Sequence, residues 1–352
     1  MLSKLKHYGI RGVAYNWVKS YLSNRQQYVY YNDTSSDNRT VTCGVPQGSN
    51  LGPLLFIIYI NDLCNVSNIL KLVLFADDTN LFTSGHDLEH LTSIVTSELR
   101  KLQIWFNLNK LSLNVTKTNY MLFTTNKRLD NVNIKIDDIC IEEVRVTKFL
   151  GVLVDNKLDW KDHIYHVRLK LAKCISILYK ATASLDQLSL FTLYNSLFLP
   201  YMSYCIEIWA TASKSNLNCI SIMQKKAIRI ITKSGKLDHT HSLFTKLRIL
   251  KFTDLIKLRI CIVMHKVKLR LLPNKILDRY SLYCNVGQYS LRRQDKFRTM
   301  YARTTLKQKC LSHLGVRLYN DIPKSITSSQ SINIFKLSLK KYIINQYLDN
   351  IP

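Results

Sequence analysis

The spacing of apolar residues changes character twice along the chain. Residues 2–22 carry apolar positions at helical spacing, interrupted between Gly9 and Gly12, and predict two short helices. Residues 26–31 (QQYVYY) and 39–44 (RTVTCG) predict the strands of a hairpin around 32–38. The apolar run that follows Ser49 and Asn50 predicts a helix to about residue 63, with either residue as cap and Pro53 in the first turn. Two β-rich runs, 70–75 and 79–83, flank Ala76-Asp77-Asp78 and predict a hairpin with two acidic residues at its tip. Asp87 is placed to cap a long helix. Leu88, Leu91, Ile94, Val95, Leu99, Leu102, Trp105 and Phe106 form its apolar face. Short strands are predicted at 118–124, 132–137, 139–142 and 145–154.

From Trp160 the period becomes helical. Ile164, Val167, Leu171, Cys174 and Leu178 share one face, leaving His163, Arg168, Lys170 and Lys173 to the remaining surface. Further helices are predicted near 187–198, 202–211, 215–233, 250–271 and 331–347, and the stretch 285–310 is polar and very basic. The fold class expected is therefore α+β, an antiparallel sheet with helices followed by a mainly helical region.

Charge sharpens this division. The chain has 352 residues and a net charge of +26. Residues 1–150 hold 16 basic and 13 acidic side chains, and residues 151–352 hold 34 and 11. Such an excess points to a polyanion, nucleic acid before a membrane surface, and places its surface in the second part. The longest apolar run, 54–60, is far too short to cross a bilayer, which takes about 20 residues. The N-terminus has no apolar signal core, so a cytoplasmic or nuclear protein with no membrane partner is expected. The nine cysteines form no CxxC pair and read as reduced thiols. Cys284, Cys310 and His313 are the loosest zinc candidates, and buried thiols with a surface imidazole explain them more simply.

Two adjacent carboxylates repel unless a cation lies between them. Mg²⁺ prefers oxygen ligands and combines one or two carboxylates with substrate phosphates, so Asp77 and Asp78 suit a metal-assisted phosphoryl transfer. A plain surface Asp-Asp turn is the simpler reading of the dipeptide alone.

The context of the pair resembles the reverse transcriptase family, specifically the polymerases of non-LTR retrotransposons. Gly44-Val45-Pro46-Gln47-Gly48-Ser49, followed by Gly52-Pro53-Leu54-Leu55-Phe56, looks like motif B. Phe75-Ala76-Asp77-Asp78 looks like motif C. Leu113-Asn114 with Lys117-Thr118 and Phe123 looks like motif D, and Phe149-Leu150-Gly151 like motif E, the primer grip. Upstream, Tyr8-Gly9-Ile10-Arg11-Gly12, Trp17, Ser20-Tyr21-Leu22 and Arg25-Gln26 are similar to the segment before motif B. Leu318-Tyr319-Asn320-Asp321-Ile322-Pro323 is similar to a C-terminal signature in which the family usually has Trp where this chain has Tyr319. The resemblance extends over essentially the whole chain.

It implies a partial palm over 1–155, a thumb-like helical region over 156–235 and a basic C-terminal region over 236–352. It implies two Mg²⁺ or Mn²⁺ ions in the intact site, with Asp77 and Asp78 as metal-binding catalytic carboxylates. Lys117 would act near the triphosphate. Pro46, Gln47, Gly48, Ser49, Phe75 and Ala76 would border the nucleotide and template, and Phe149, Leu150 and Gly151 the primer. Lys170, Lys173, Lys225, Lys226, Arg229, Lys233, Arg292 and Arg293 are the candidate phosphate contacts, Lys296 and Arg298 extending the last pair. The implied partners are an RNA template, a DNA primer or target and dNTPs, with an intact element-encoded polymerase acting in trans as a further candidate.

The family's third palm carboxylate sits in motif A, upstream of the Tyr-Gly-Ile-Arg-Gly segment. Met1 lies just past that place, and Asp33, Asp37 and Asp62 fit no motif A pattern. Loss of one ligand from a two-metal site costs many orders of magnitude in rate, so this chain is expected to be inactive alone. Three readings stand: a truncated polymerase, a non-catalytic nucleic-acid-binding scaffold, and a degenerate copy or incomplete gene model without selected function.

Overall fold

A computed structural model describes residues 1–42, 44–45, 48–124, 132–282 and 296–348. The backbone packs into two compact units, Met1–Tyr120 with Thr125–Val144, and Met121–Thr124 with Arg145–Pro352.

The first unit opens with α1 (Leu2–His7) and α2 (Gly12–Leu22). Gly9 and Gly12 take φ of +84° and +62° between them, which is why the helical pattern breaks there. The pairs β1 (Gln26–Gln27) with β4 (Arg39–Thr40), and β2 (Tyr30–Tyr31) with β3 (Thr34–Ser35), make the expected hairpin. Helix α3 (Leu51–Ile60) packs Leu55 against Leu5 and Val18. Lys4 ties this corner together. Its Nζ donates to the Tyr59 carbonyl and to Asp62 Oδ1, both at 2.7 Å, and lies 4.8 Å from the Trp105 ring centre. Asp62 is thereby committed to an ion pair.

A second cluster holds the hairpin β5 (Lys71–Phe75) and β6 (Asp78–Phe82) against α4 (Leu88–Leu108). Asp87 caps α4, accepting from the His90 N–H at 3.0 Å. Leu99, Leu102 and Phe106 are buried as the spacing requires. Glu98 is buried beside them, with Lys101 Nζ at 2.6 Å. The hydrogen bond from Lys101 holds this carboxyl below its ordinary range.

The remaining strands are shorter than the pattern suggested. They are β7 (Asn119–Tyr120), β8 (Lys135–Ile136), β9 (Ile139–Cys140) and β10 (Glu142–Glu143). Among the described residues every sheet is a two-stranded pair, and one pair, β7 with β10, is parallel. A wholly antiparallel sheet was expected. β10 follows the β8–β9 hairpin directly and runs beside β7 in the same direction, Glu142 against Asn119 and Glu143 against Tyr120.

In the second unit, where one strand was expected over 145–154, the chain forms a hairpin of β11 (Val146–Phe149) and β12 (Val152–Asp155), because Leu150 and Gly151 turn it back. Its link to α5 (Lys161–Ala181) is built on Asp155, a carboxylate buried to 6% exposure. Asp155 Oδ1 accepts from the N–H groups of Lys157 and Asp159, each at 3.0 Å, and Oδ2 from Trp160 at 2.7 Å. Those bonds hold Leu158 and Trp160 at φ of +54° and +64°. The Trp160 indole then donates to Thr211 Oγ1 at 2.8 Å.

The helices that follow share one core. They include α6 (Gln187–Leu193), α7 (Leu199–Ser203), α8 (Ile206–Trp209), α9 (Lys214–Ile231), α10 (His241–Lys246) and α11 (Phe252–Lys268). A π-helical turn at Tyr194–Phe198 joins α6 to α7 ahead of Pro200, which lacks the N–H that a regular helix would use. Then come α12 (Asn274–Leu277), α13 (Thr305–Lys309), α14 (Val316–Asn320), α15 (Lys324–Thr327) and α16 (Ile332–Leu348). Helices α5 and α9 pack together, as do α11 and α16. Buried Gln224 donates to Tyr194 Oη at 3.0 Å and to the Leu250 carbonyl at 2.9 Å. No helix among the described residues is long and apolar enough to cross a membrane.

Two histidines lie in this core. His163, expected on the surface of α5, is buried. It accepts from the Leu153 N–H at Nδ1 (3.2 Å) and meets the Trp209 ring edge-on. His265 is fully buried, stacked 3.8 Å from Phe335 and bonded through Nδ1 to Tyr319 Oη at 2.7 Å. The residue in place of the family's usual Trp thus has a polar partner waiting for it. Asn320 beside it accepts from the Phe297 N–H and donates to the Phe297 carbonyl. The Leu318-to-Pro323 signature is a packing element here.

Two predictions follow from this unit. Removing the carboxylate in Asp155→Ala strands three N–H groups, so urea denaturation should show a loss of about 3 kcal/mol. A loss under about 1 kcal/mol would mean that the loop finds other acceptors. Burial pushes both His163 and His265 down to about 4, with His166 and Lys268 respectively adding to it. The unfolded chain then binds more protons than the native one between pH of about 6.5 and about 4. Stability should fall as pH drops through that window, by about 1 kcal/mol per pH unit for each histidine. Denaturation midpoints across pH would show it, and His265→Gln should halve the slope.

Candidate nucleotidyl-transfer site

The β5–β6 hairpin closes through a pair between Phe75 and Asp78, leaving Ala76 and Asp77 as a two-residue turn. Ala76 takes φ +49°, a left-handed conformation that a tight hairpin requires and that is more common at glycine. Asp77 is therefore at the tip, while Asp78 is the first residue of a strand. Alternation then sets the directions. Leu72, Leu74 and Leu81 turn toward the apolar cluster under α4, and Val73 and Phe75 face outward with Phe75 59% exposed. Asp78, opposite Phe75, shares that outer face.

Both carboxylates are exposed, and among the described residues neither forms an ion pair. They are free to take a cation. The donor set suits Mg²⁺ or Mn²⁺, two hard oxygen ligands with room for water and phosphate. Among the described residues no cluster of three His, Cys, Asp or Glu side chains is present that would hold a metal on its own.

Gly48 precedes α3 with φ +77°, and among the described residues nothing lies within 4 Å of where its Cβ would be. Glycine is needed for the backbone conformation, and the bare Cα leaves open space beside it. Ser49 Oγ then accepts from the Gly52 N–H at 3.1 Å, so this hydroxyl starts the helix. Pro46 and Gln47 lie outside the described residues. Lys117 ends a short turn whose cap, Asn114, accepts from the Lys117 N–H and from Thr116 Oγ1. Its side chain is exposed.

In the second unit, Leu150 and Gly151 form the turn of β11–β12, with φ of +45° and +83°. Two left-handed residues in succession are what a two-residue primed turn demands. Tyr204 Oη donates to the Leu150 carbonyl at 2.7 Å. Nothing in the spacing marked Tyr204 as a partner of this turn, because 54 residues separate them. The Leu-Gly pair between two short β-runs was the one available signal.

Of the basic candidates, Lys173, Lys225, Lys226 and Lys233 are exposed. Lys225 and Lys226 stand opposite the buried Gln224, Ala227 and Ile228 side of α9. Lys170 is half-buried, its Nζ 6.0 Å from the Tyr201 ring centre. Arg229 donates through Nε and Nη2 to the Asp238 carbonyl at 3.0 and 2.8 Å, and so braces the loop after α9. Arg292 and Arg293 lie outside the described residues.

Comparison with known proteins agrees with the motifs. The sequence model of the reverse transcriptase (RNA-dependent DNA polymerase) family matches residues 1–154. The probable RNA-directed DNA polymerase from transposon X-element of Drosophila melanogaster is 29% identical over 61% of this chain and 24% of its own length. The RNA-directed DNA polymerase from mobile element jockey, of the same organism, is 26% identical over 76% of this chain and 29% of its own. That from transposon BS is 30% identical over 62% and 25%. The chain spans about a quarter of the length of these curated relatives. It is a homologue of the reverse transcriptases of non-LTR retrotransposons, and its residues 1–154 carry the family's polymerase domain match.

Proposed function

We propose that this chain supplies the metal-binding hairpin and nucleic-acid-holding helices of an RNA-directed DNA polymerase acting on an RNA template, a DNA primer and dNTPs. The observation that carries it is the Phe75–Asp78 hairpin, which presents two uncompensated carboxylates outward from an anchored turn. Asp77 and Asp78 would hold Mg²⁺ or Mn²⁺. When bound, the ions supply the charge that activates a primer 3′-hydroxyl and stabilises the departing oxygen. Phe75 and Ala76, with Gly48 and Ser49, would border the incoming nucleotide. Lys117 would offer its ammonium to the triphosphate, and Phe149 to Gly151 would contact the primer. Lys173, Lys225, Lys226 and Lys233 would hold phosphates.

A second reading has its own support. Residues 151–352 hold 34 basic and 11 acidic side chains, and Lys173, Lys225, Lys226 and Lys233 are exposed. On this reading the 352-residue chain binds a primer–template as a scaffold.

Primer extension on an RNA template with Mg²⁺ or Mn²⁺ separates the two readings. The first reading expects extension above an Asp77→Ala control, and the second expects none, with salt-sensitive binding retained. Extension that disappears in Asp77→Ala would show that two carboxylates suffice. In the same binding assay, replacing Lys225 and Lys226 by Ala should weaken affinity and reduce the slope of log K against log salt by up to about 2. An unchanged slope would remove these two lysines from the phosphate contacts.

A further inference from the structure

We propose that Tyr204 is a positioning residue for the Phe149-Leu150-Gly151 turn, fixing its backbone in the form that meets a primer 3′ end. This rests on the reading of that turn as the primer grip.

The turn is poorly suited to hold itself. Leu150 sits at φ +45°, where its Cβ crowds the following carbonyl, and only Gly151 tolerates its own φ of +83° without cost. A restraint from outside the hairpin is therefore informative. Tyr204 gives one on each residue. Its hydroxyl donates to the Leu150 carbonyl at 2.7 Å. Its ring lies along Gly151, with Cε1 3.4 Å from where a Cβ would stand.

Tyr204 is itself fixed. Its carbonyl accepts from the Trp209 indole N–H at 2.8 Å, and its N–H donates to the Pro200 carbonyl at 3.0 Å. Trp209 is fully buried and stacks on Phe252. Cys205 follows at φ +48°, the left-handed step that opens α8. A chain of contacts thus runs from the buried core through Trp209 and Tyr204 to the turn. The ring of Tyr204 stays 52% exposed, so burial of apolar surface is not what it contributes. The strand leaving the turn is held separately, by His163 on the Leu153 N–H. Two independent restraints on four residues define a fixed platform.

The test uses the 352-residue chain and a DNA primer on an RNA template, with 2-aminopurine at the primer 3′ end. Wild-type chain should change the fluorescence and prefer a recessed 3′ end over a blunt hybrid. Tyr204→Phe removes one hydroxyl. It should lower that preference about fivefold, the worth of one net hydrogen bond, with blunt-hybrid affinity held within about twofold. Gly151→Ala approaches from the turn side and should produce the same loss. Without nucleic acid, amide exchange at Val152 should quicken in Tyr204→Phe while Leu153, held by His163, is unchanged. A Tyr204→Phe chain that keeps the wild-type 3′-end preference overturns the proposal. A wild-type chain with no such preference removes the primer-grip reading, and the proposal with it. Faster turn exchange would then mark Tyr204 as merely structural.

Discussion

A two-residue turn forces its backbone into left-handed territory, and that constraint governs both candidate contact points of this chain. At Ala76-Asp77 and at Leu150-Gly151 the strands reverse within two residues. A reversal that tight fixes the register, and with it the direction of every side chain on either strand. Asp77 and Asp78 face water because Leu72, Leu74 and Leu81 must face the apolar cluster. The outward placement of the two carboxylates is a consequence of packing at the base.

The two hairpins are restrained differently. β5–β6 is held by apolar contact with the cluster that also buries Leu99, Leu102 and Phe106 of α4, and its tip is free. That suits ligands that must reach metal ions and substrate phosphates together, since a carboxylate already in an ion pair is unavailable to a metal. β11–β12 is held by polar groups: Asp155 at its exit, His163 at mid-strand and Tyr204 at the turn. Polar restraints are directional where apolar ones are not, so a hairpin held by three hydrogen-bonding side chains has a defined tip position.

Much of this was legible in the sequence. The helical spacing of Ile164, Val167, Leu171, Cys174 and Leu178, the cap at Asp87 and the β-rich runs around Asp77 all depend on neighbours within a few residues, and short-range periodicity reports such features directly. Illegible features depend on distant partners. His163 looks polar, yet it is buried because the Leu153 N–H needs an acceptor on the hairpin's inner side. Glu98 interrupts an apolar stripe without disturbing it, because Lys101 lies one turn along. Asp155 reads as a strand-end residue, and its three backbone partners appear only when the following loop is folded. The two-residue strands β7 to β10 were overextended because alternation continues past the last paired residue.

The uneven charge fits the same division of labour. A carboxylate pair surrounded by lysines would be neutralised by them, and its affinity for a divalent cation would fall. Residues 1–150 are nearly balanced, and two of the cations there are committed elsewhere, Lys4 to Asp62 and Lys101 to Glu98. In residues 151–352 basic side chains are in excess, and among the described ones Lys225 and Lys226 stand opposite the buried Ala227 and Ile228 on a helix. Phosphate binding by counterion release needs many exposed cations and little geometry, whereas metal binding needs few ligands and exact placement. On the proposed reading, the first task would fall to the outer surface of helices and the second to the tip of a hairpin.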